Sequence, residues 1–494
     1  MRRAAFLLVI LVLAISILGP KTALAQPSAG ATWSSDIIYF NLSTITSSTG
    51  YENLTLAFNN NGTPIPVNTD KISYQYYSNT ILAGHIGQNF AGSAVLSAEV
   101  PVVAVYKQVS SSSNPYSPIL YSSFTADQAG NGIFYIPSVQ RNPAFVSQVG
   151  IQNVEAVPLD LTLNFYAVGS STPTFTALKA AVPSQSSYVF KLSDLPNCPM
   201  TFNGSLVITA TPSTPGSSTT ANIVAVVQEV QSNGRQAYAY EGSASGGSPI
   251  YMPSAMCNVG KTQQTTYYAI QNAGGTAGTA TISYYDGLGK PVANMTTASI
   301  PPNSKISVSS CDKAVVANTS GKSVLSAVIT GNGTVLVAMG KVQSTDGLMT
   351  AFLGSQQPST ARSDGKYHVA LPYVEWSNTT LGFRSYIAVM NVSGAPETGI
   401  TVNYYRRTKQ GPQPSSITLA GTTTSLAANA KRNTEPDQVP NTLDGSKSFL
   451  GAAEVISDQP IVVIVRVQRG VSGIPGVTTL GEDYSGINVP KDPG

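Results

Sequence analysis

The stretch "ATISYYDGLGKPV", Ala280–Val292, decides the fold class, because alternating apolar residues run into a glycine-rich turn. Alternation with a period of two is typical of a half-buried β-strand, and Gly, Asp and Pro favour turns. Related phrases occur as "LTLNFYAVGSSTP" from Leu161, "ITVNYYRRTKQGP" from Ile400 and the looser "LTLAFNNNGTP" from Leu54. The chain therefore contains an internal repeat.

The period of this repeat indicates whole domains. The second aromatic residue of three of the phrases gives the markers Tyr166, Tyr285 and Tyr405, which lie 119 and then 120 residues apart. An asparagine ends the apolar run before each marker, and these residues are Asn153, Asn272 and Asn391. A period near 120 is too long for a solenoid unit and matches a domain. We predict tandem domains.

The third repeat gives the clearest strand pattern, with seven short stretches rich in Val, Ile, Thr and Tyr. They are Pro249–Pro253, Gln264–Ala273, Gly278–Asp286, Pro291–Ile300, Ser304–Ser310, Ser323–Gly331 and Thr334–Ser344. Seven short strands in about 100 residues are typical of an immunoglobulin-like sandwich. We therefore predict an all-β fold of four tandem immunoglobulin-like β-sandwich domains.

The domain boundaries follow from the repeats and from stretches rich in Gly, Ser and Pro. They are a signal peptide 1–25, a divergent repeat 1 at 26–112, a linker 113–131, repeat 2 at 132–232, a linker 233–247, repeat 3 at 248–345, a linker 346–366, repeat 4 at 367–469, and a tail 470–494 with an orphan strand. Such linkers should be solvated and let the domains reorient. Ile282→Asp should then unfold the third domain alone.

The N-terminus predicts export. Arg2 and Arg3 precede the apolar run Ala4–Leu18, and Ala23-Leu24-Ala25 forms an A-x-A site. This order is typical of a cleaved secretory signal peptide, and the run is short for a membrane span. We predict cleavage after Ala25, no transmembrane segment afterwards, and a secreted or cell-surface protein; an uncleaved anchor is the alternative.

Composition argues against several classes of function. Charged residues are 10% of the chain and the net charge is +3, with no basic stripe for nucleic acid. Only His85 and His368 are present, in different repeats, and no catalytic or nucleotide motif occurs. Asp127, Asp364 and Glu482-Asp483 are ordinary turn acids, so we predict no metal site, although calcium at the linkers stays open. We expect no enzyme activity and no cofactor.

Three cysteines suit an oxidising compartment. Cys257 lies near the start of the third repeat and Cys311 lies after its fifth strand, so one domain could hold both. Cys198 occupies the place in the second repeat that corresponds to Cys311 and has no partner in its own repeat. We predict a disulfide between Cys257 and Cys311, with Cys198 free or paired between chains.

The repeated aromatic pair offers an alternative function. Tyr284 and Tyr285 point to opposite faces of a strand, so one belongs to the core and the other to the outer face. Aromatic packing across strands is the favoured interpretation. The alternative is a platform for polysaccharide, and its outward rings would be Tyr166, Tyr285 and Tyr405.

The C-terminal phrase "GINVP" reads like the opening phrases "GIFYIP" and "SPIYMP" of the repeats, but no domain follows it. The first repeat lacks such a phrase, which would leave one sheet edge open. The favoured hypothesis is that the strand folds back on the fourth domain or stays loose. The other is that Ile487, Asn488, Val489 and Pro490 complete the first domain of another copy, giving head-to-tail fibres.

Five phrases carry a family resemblance: "AYAYEG" from Ala237, "PIYMP", "IQN", "SYYDGLGKP", and "SAVITGNGTVLVAMGKVQ" from Ser326. With them the chain resembles secreted bacterial surface proteins built from tandem Ig-like repeats of the cell-adhesion type. The resemblance covers most of the chain, with repeat 1 departing most. It implies a structural or adhesive role at the cell surface, with surface or matrix components as partners.

Overall fold

The computed structural model places most of the 494-residue chain in β-strands. It describes residues 7–13, 33–42, 51–60, 63–64, 68–73, 78–82, 92–98, 100–110, 119–125, 128–216, 220–231, 236–356, 358–379, 381–406, 415–420, 425–439, 447–474 and 477–489. Within these ranges the fold is all-β, with several separate sheets and one short α-helix. No helix in this part of the chain has the length and apolarity of a membrane span.

The strands fall into four consecutive sets, which we name modules 1 to 4. Module 1 contains β1 (Leu7–Leu13), β2 (Trp33–Asn41), β3 (Tyr51–Asn60), β4 (Thr63–Pro64), β5 (Asn68–Ser73), β6 (Ser78–Leu82), β7 (Gly92–Ala98), β8 (Val102–Ser110), β9 (Ile119–Ser122) and β10 (Phe124–Thr125). Module 2 contains β11 (Gly130–Asn131), β12 (Ile133–Arg141), β13 (Phe145–Asn153), β14 (Leu159–Ala167), β15 (Phe175–Val182), β16 (Ser187–Lys191), β17 (Phe202–Pro212), β18 (Asn222–Gln231) and β19 (Ala237–Glu241).

The remaining strands belong to modules 3 and 4. Module 3 contains β20 (Ile250–Cys257), β21 (Thr265–Asn272), β22 (Thr279–Tyr285), β23 (Pro291–Thr296), β24 (Lys305–Ser309), α1 (Lys313–Thr319), β25 (Ser323–Asn332), β26 (Leu336–Gln343) and β27 (Met349–Leu353). Module 4 contains β28 (Tyr367–Ser377), β29 (Phe383–Asn391), β30 (Ile400–Arg406), β31 (Ser415–Ala420), β32 (Lys431–Thr434), β33 (Ser448–Ser457), β34 (Ile461–Ile474), β35 (Val477–Ser485) and β36 (Ile487–Asn488).

Module 3 shows the arrangement most simply, as two four-stranded antiparallel sheets. One has the order β20-β25-β22-β23 and the other β24-β21-β26-β27. Each of the seven strands predicted in this repeat overlaps one of the strands from β20 to β26. Ile282 and Tyr284 lie in the core, whereas Tyr285 points to the outer face, as the alternation of the sequence predicts.

The asparagines that end β13, β21 and β29 have one structural role. Asn272 Nδ2 donates to the carbonyls of Thr276 (2.7 Å) and Ile300 (2.8 Å), and its Oδ1 accepts from Gly274 N (2.8 Å). Asn153 and Asn391 make the same kind of bonds in modules 2 and 4. The repeated residue therefore fixes the connection that follows the strand, because a buried amide must satisfy its polar groups.

The sequence patterns predict neither α1 nor the last strand of each module. Helix α1 begins at the cap Asp312, whose side chain accepts from Ala314 N (2.9 Å). Strands β9, β19, β27 and β35, which we name the closing strands, pair antiparallel with β8, β18, β26 and β34. The prediction of solvated linkers is wrong where these strands form, since every residue of Ala237–Glu241 is buried.

The four closing strands contact one another in a cycle, β9 with β19, β19 with β27, β27 with β35 and β35 with β9. Module 4 therefore packs against module 1, and the modules form a closed ring. Core clusters cross the module boundaries: Ala388 and Ile464 of module 4 belong to the core of module 3, and Ile38 and Val105 of module 1 belong to that of module 4. The expected string of reorienting domains is wrong for the described residues.

The predicted signal peptide and its predicted cleavage site after Ala25 lie at the N-terminus. Leu7–Leu13, inside the predicted signal peptide, forms β1 and pairs with β7 and with β10. Residues 1–6 and 14–32 lie outside the described residues, so cleavage after Ala25 stays a prediction. His85 and Asp127 also lie outside them.

Candidate functional site

The three outward tyrosines of the repeat lie at or near the boundaries between modules and do not form an open platform. Tyr166 is 7% exposed and Tyr405 is 3% exposed, while Tyr285 is half-buried. Sugar stacking needs free aromatic faces, which Tyr166 and Tyr405 lack. The alternation of the sequence placed these rings on the outer face correctly, but the neighbouring module covers that face.

The boundary between modules 2 and 3 is built around Tyr166. Its ring lies in an apolar cluster with Tyr135 and with Val337 of module 3. The Tyr166 hydroxyl accepts from Asn303 Nδ2 (3.3 Å), and Ser205 Oγ donates to the Asn303 carbonyl (2.6 Å). Because Ser205 lies directly opposite Tyr166 on the neighbouring strand, this pair forms one contact patch.

The boundary between modules 3 and 4 repeats this pattern. Ser326 lies directly opposite Tyr285, and its Oγ donates to the Asn429 carbonyl of module 4 (2.5 Å). Asn429 and Asn303 both adopt a left-handed backbone, with φ of 61° and 64°. Asparagine tolerates this conformation better than most residues, so it suits a turn that must present its carbonyl.

The boundary between modules 4 and 1 contains the C-terminal strand. Ile487 and Val489 are buried in a cluster with Phe40 and Tyr405, whose ring centroids lie 5.6 Å apart. Strand β36 pairs with β28 of its own chain, with Ile487 opposite Ala370. The hypothesis that Ile487, Asn488 and Val489 complete another copy is wrong for this structure, because these residues are already used in module 4. Pro490 lies outside the described residues.

A charged group also joins modules 4 and 1. Lys107 Nζ donates to the Tyr373 hydroxyl (2.6 Å) and lies 3.7 Å from Glu375 Oε2. The Lys107 ammonium also lies 4.2 Å from the ring centroid of Tyr373. Burial lowers the pKa of Lys107, and the charge of Glu375 opposes that shift. The pair therefore depends on both modules being in place.

A double-mutant cycle tests this contact. Lys107→Met and Glu375→Gln, alone and combined, should show a coupling energy of about 1–2 kcal/mol in the free energy of unfolding, because each removes the partner of a half-buried charge. Urea denaturation of the four proteins measures it. Effects that add within about 0.5 kcal/mol would mean that the two side chains do not meet.

Two buried glutamates link the closing strands of all four modules. Glu482 of module 4 accepts from Ala351 N of module 3 (2.9 Å) and from Ala239 N of module 2 (2.9 Å). Glu241 of module 2 accepts from Ser122 N of module 1. Burial raises the pKa of Glu241 to about 7 and raises the pKa of Glu482 well above its ordinary value. No sequence pattern indicates these roles, since Glu241 lies in the predicted linker 233–247 and Glu482 in a predicted turn.

Glu241 should make stability depend on pH. Its ordinary pKa is 4.5 and its pKa in the folded protein is about 7, so its contribution is complete below pH 4.5 and is lost as pH rises towards 7. Glu241→Gln cannot ionise, so the free energy of unfolding of the variant should gain up to about 3 kcal/mol over the parent between pH 4.5 and pH 8. Urea titrations across this range measure the difference. Parallel pH profiles would contradict the assignment.

The structure pairs Cys257 with Cys311, with their Cα atoms 4.9 Å apart, and leaves Cys198 buried as a free thiol. This is the pair that the sequence predicts. The bond ties β20 to the segment between β24 and α1, so it closes one end of module 3. Burial raises the pKa of the Cys198 thiol, which disfavours the reactive thiolate.

Asp364, Asp483 and His368 contact other side chains of the chain. His368 is buried and lies between Glu454 Oε1 (2.8 Å) and Asp364 Oδ2 (2.9 Å). Asp483 accepts from Arg466 Nη2 (2.7 Å). Among the described residues, no group of three or more His, Cys, Asp or Glu side chains could hold a metal ion.

Comparison with known proteins gives little. No family model matches the chain, and no curated protein matches it. Among solved structures, the full-length RrgB pilus protein from Streptococcus pneumoniae aligns over 95% of this chain and 89% of its own, with 10% sequence identity and a TM-score of 0.12. A TM-score this low carries no argument about fold or function.

Proposed function

We propose that the chain is an exported, non-enzymatic structural or adhesive protein of a bacterial surface, built from four Ig-like sandwich domains that correspond to modules 1 to 4. The observation that carries the proposal is the use of the repeated side chains. The repeated Tyr166 and Tyr405 hold one module against the next, and Glu482 joins the closing strands in the same way. The distinctive residues of the repeats thus hold the modules together in a rigid assembly.

The surface composition supports the same role. Charged residues are 10% of the chain, and Ser, Thr, Gly and Asn fill the positions between apolar residues. A weakly charged, hydroxyl-rich surface suits broad contact with surface or matrix components, and several equivalent modules on one rigid body would add avidity. Polysaccharide could be such a component, but the buried Tyr166 and Tyr405 do not favour a stacking platform.

Export is tested first. The full chain, expressed in a bacterium, should appear outside the cytoplasm with Gln26 as its first residue. Ala25→Asp should block this cleavage, because the A-x-A site needs small residues. A chain that stays in the cytoplasm with an intact N-terminus would contradict the proposal.

The amount of bound chain that is needed to restore attachment distinguishes a structural role from an enzymatic one. Cells that lack the gene are supplied with increasing amounts of the purified chain and scored for attachment and for the chain bound to their surface. A structural protein restores attachment in proportion to the amount bound. Full restoration by a small fraction of that amount would indicate a catalyst, and binding to insoluble polysaccharide that Tyr285→Ala abolishes without unfolding would restore the carbohydrate alternative.

A further inference from the structure

Module 1 takes its first strand from the N-terminal apolar run. In module 3 the first strand β20 pairs with β25, which in turn pairs with β22. Module 1 has the same order, with β1 beside β7 and β7 beside β3. The pairing of β1 with β7 runs from Leu7 opposite Ala98 to Leu13 opposite Gly92. The first repeat, which lacks an opening phrase after residue 26, is thus completed by residues before it.

The connection after β1 differs from those in the other modules. Strand β2 follows β1 after residues 14–32, whereas the corresponding connections in modules 2, 3 and 4 are residues 142–144, 258–264 and 378–382. The long connection contains Ala23-Leu24-Ala25. Cleavage after Ala25 would therefore separate β1 from the rest of module 1.

Loss of β1 would open a defined groove. Strand β1 pairs with β7 on one side and with β10 on the other, where Ile10 lies opposite Phe124. Ala94, Leu96 and Phe124, which border this position, are buried in the complete module. Without β1, the backbone groups of Gly92–Ala98 that face it have no partner, and an open sheet edge beside apolar side chains is a template for another strand.

We propose that module 1 carries a strand-acceptor groove between β7 and β10, which Leu7–Leu13 fills before processing and which in the processed chain binds an extended, uncharged apolar segment of a second polypeptide. The inference rests on the proposed export. The register sets the chemistry of the occupant: seven apolar residues that run antiparallel to β7, as in "LLVILVL". The chain's own C-terminal strand is not this occupant, because Ile487–Asn488 pairs with β28.

A register-specific disulfide trap tests the groove. The processed chain, residues 26–494, carries Ser97→Cys and is mixed, with oxidised glutathione as the oxidant, with a peptide of residues 5–15 flanked by lysines for solubility. Leu8 lies directly opposite Ser97, so a peptide with Leu8→Cys should form the disulfide at least ten times faster than one with Val12→Cys, whose cysteine would sit about 13 Å away. Ser97 is half-buried, so the substitution should not disturb folding.

A second variant and the precursor serve as controls. Val95→Cys should move the preferred position in the peptide to Ile10→Cys, since these residues are opposite each other. The full chain 1–494 with Ser97→Cys should not trap the peptide, because β1 occupies the groove. Equal trapping at Leu8→Cys and Val12→Cys, or none, would overturn the groove even where the exported chain begins at Gln26. An exported chain that retains Leu7–Leu13 would still fill the groove with β1, and it would contradict the proposal that the groove is open after export.

Discussion

Ile282→Asp is expected to unfold all four modules together. Ile282 is completely buried in the core of module 3, where a carboxylate has no partner, and such a substitution costs more than about 4 kcal/mol. That core also contains Ala388 and Ile464 of module 4, so the loss of module 3 removes the packing of its neighbour. Calorimetry of the variant should show no residual folding transition. This replaces the expectation from sequence that the third domain alone would unfold.

The adjacent residue provides the matched control. Thr281 lies on the same strand with its hydroxyl at the exposed outer face, near Thr296. Thr281→Asp therefore introduces the same charge at a half-buried position on the outer face, where water reaches it, and should change the free energy of unfolding by less than about 1 kcal/mol. If Ile282→Asp removes one transition and leaves the others at their parental temperatures, the modules fold independently and the ring is not cooperative.

Glu482→Ala is expected to destabilise the ring by about 4 kcal/mol. The Glu482 carboxyl group accepts hydrogen bonds from three buried backbone N–H groups, those of Ala239, Ala351 and Asp483. Each buried donor left without an acceptor costs about 1–3 kcal/mol. Because two of the donors belong to modules 2 and 3, the change acts at the centre of the ring. Urea denaturation measures the effect.

Glu482→Gln is a milder substitution that removes only part of the same hydrogen bonding. Glutamine keeps one oxygen, which can still accept from Ala351 N and Asp483 N, and loses the acceptor for Ala239 N. The expected loss is about 1–2 kcal/mol, that of a single unpaired donor. Equal and small effects of the Ala and Gln variants would mean that Glu482 does not hold the closing strands.

The strands within a module could be predicted because each has one buried and one open face. In Thr279–Tyr285 buried and half-buried residues alternate, and the sequence shows that alternation directly. The disulfide partners followed from their common repeat. The closing strands could not be found in this way, because Ala237–Glu241 is buried at every position and so has no alternation. Its Gly- and Ser-rich neighbours then gave the appearance of a linker.

The contacts between modules could not be predicted from the sequence, for a different reason. A period of two assigns Tyr166 and Tyr405 to the outer face of a sheet, but it does not say whether water or another module lies beyond. The same holds for Glu241 and Glu482, whose partners are backbone N–H groups of other modules. Interactions across large sequence separations leave no local pattern, so the ring and its buried acids required the structure.

Small-angle X-ray scattering of the purified chain tests whether the four modules close into a ring. A single compact body of this length has a radius of gyration of about 23 Å, whereas four domains of about 100 residues in a row have one of about 40 Å. The ring predicts a value near the first, unchanged with protein concentration. A value near the second would contradict the contact between modules 4 and 1 and with it the closed ring.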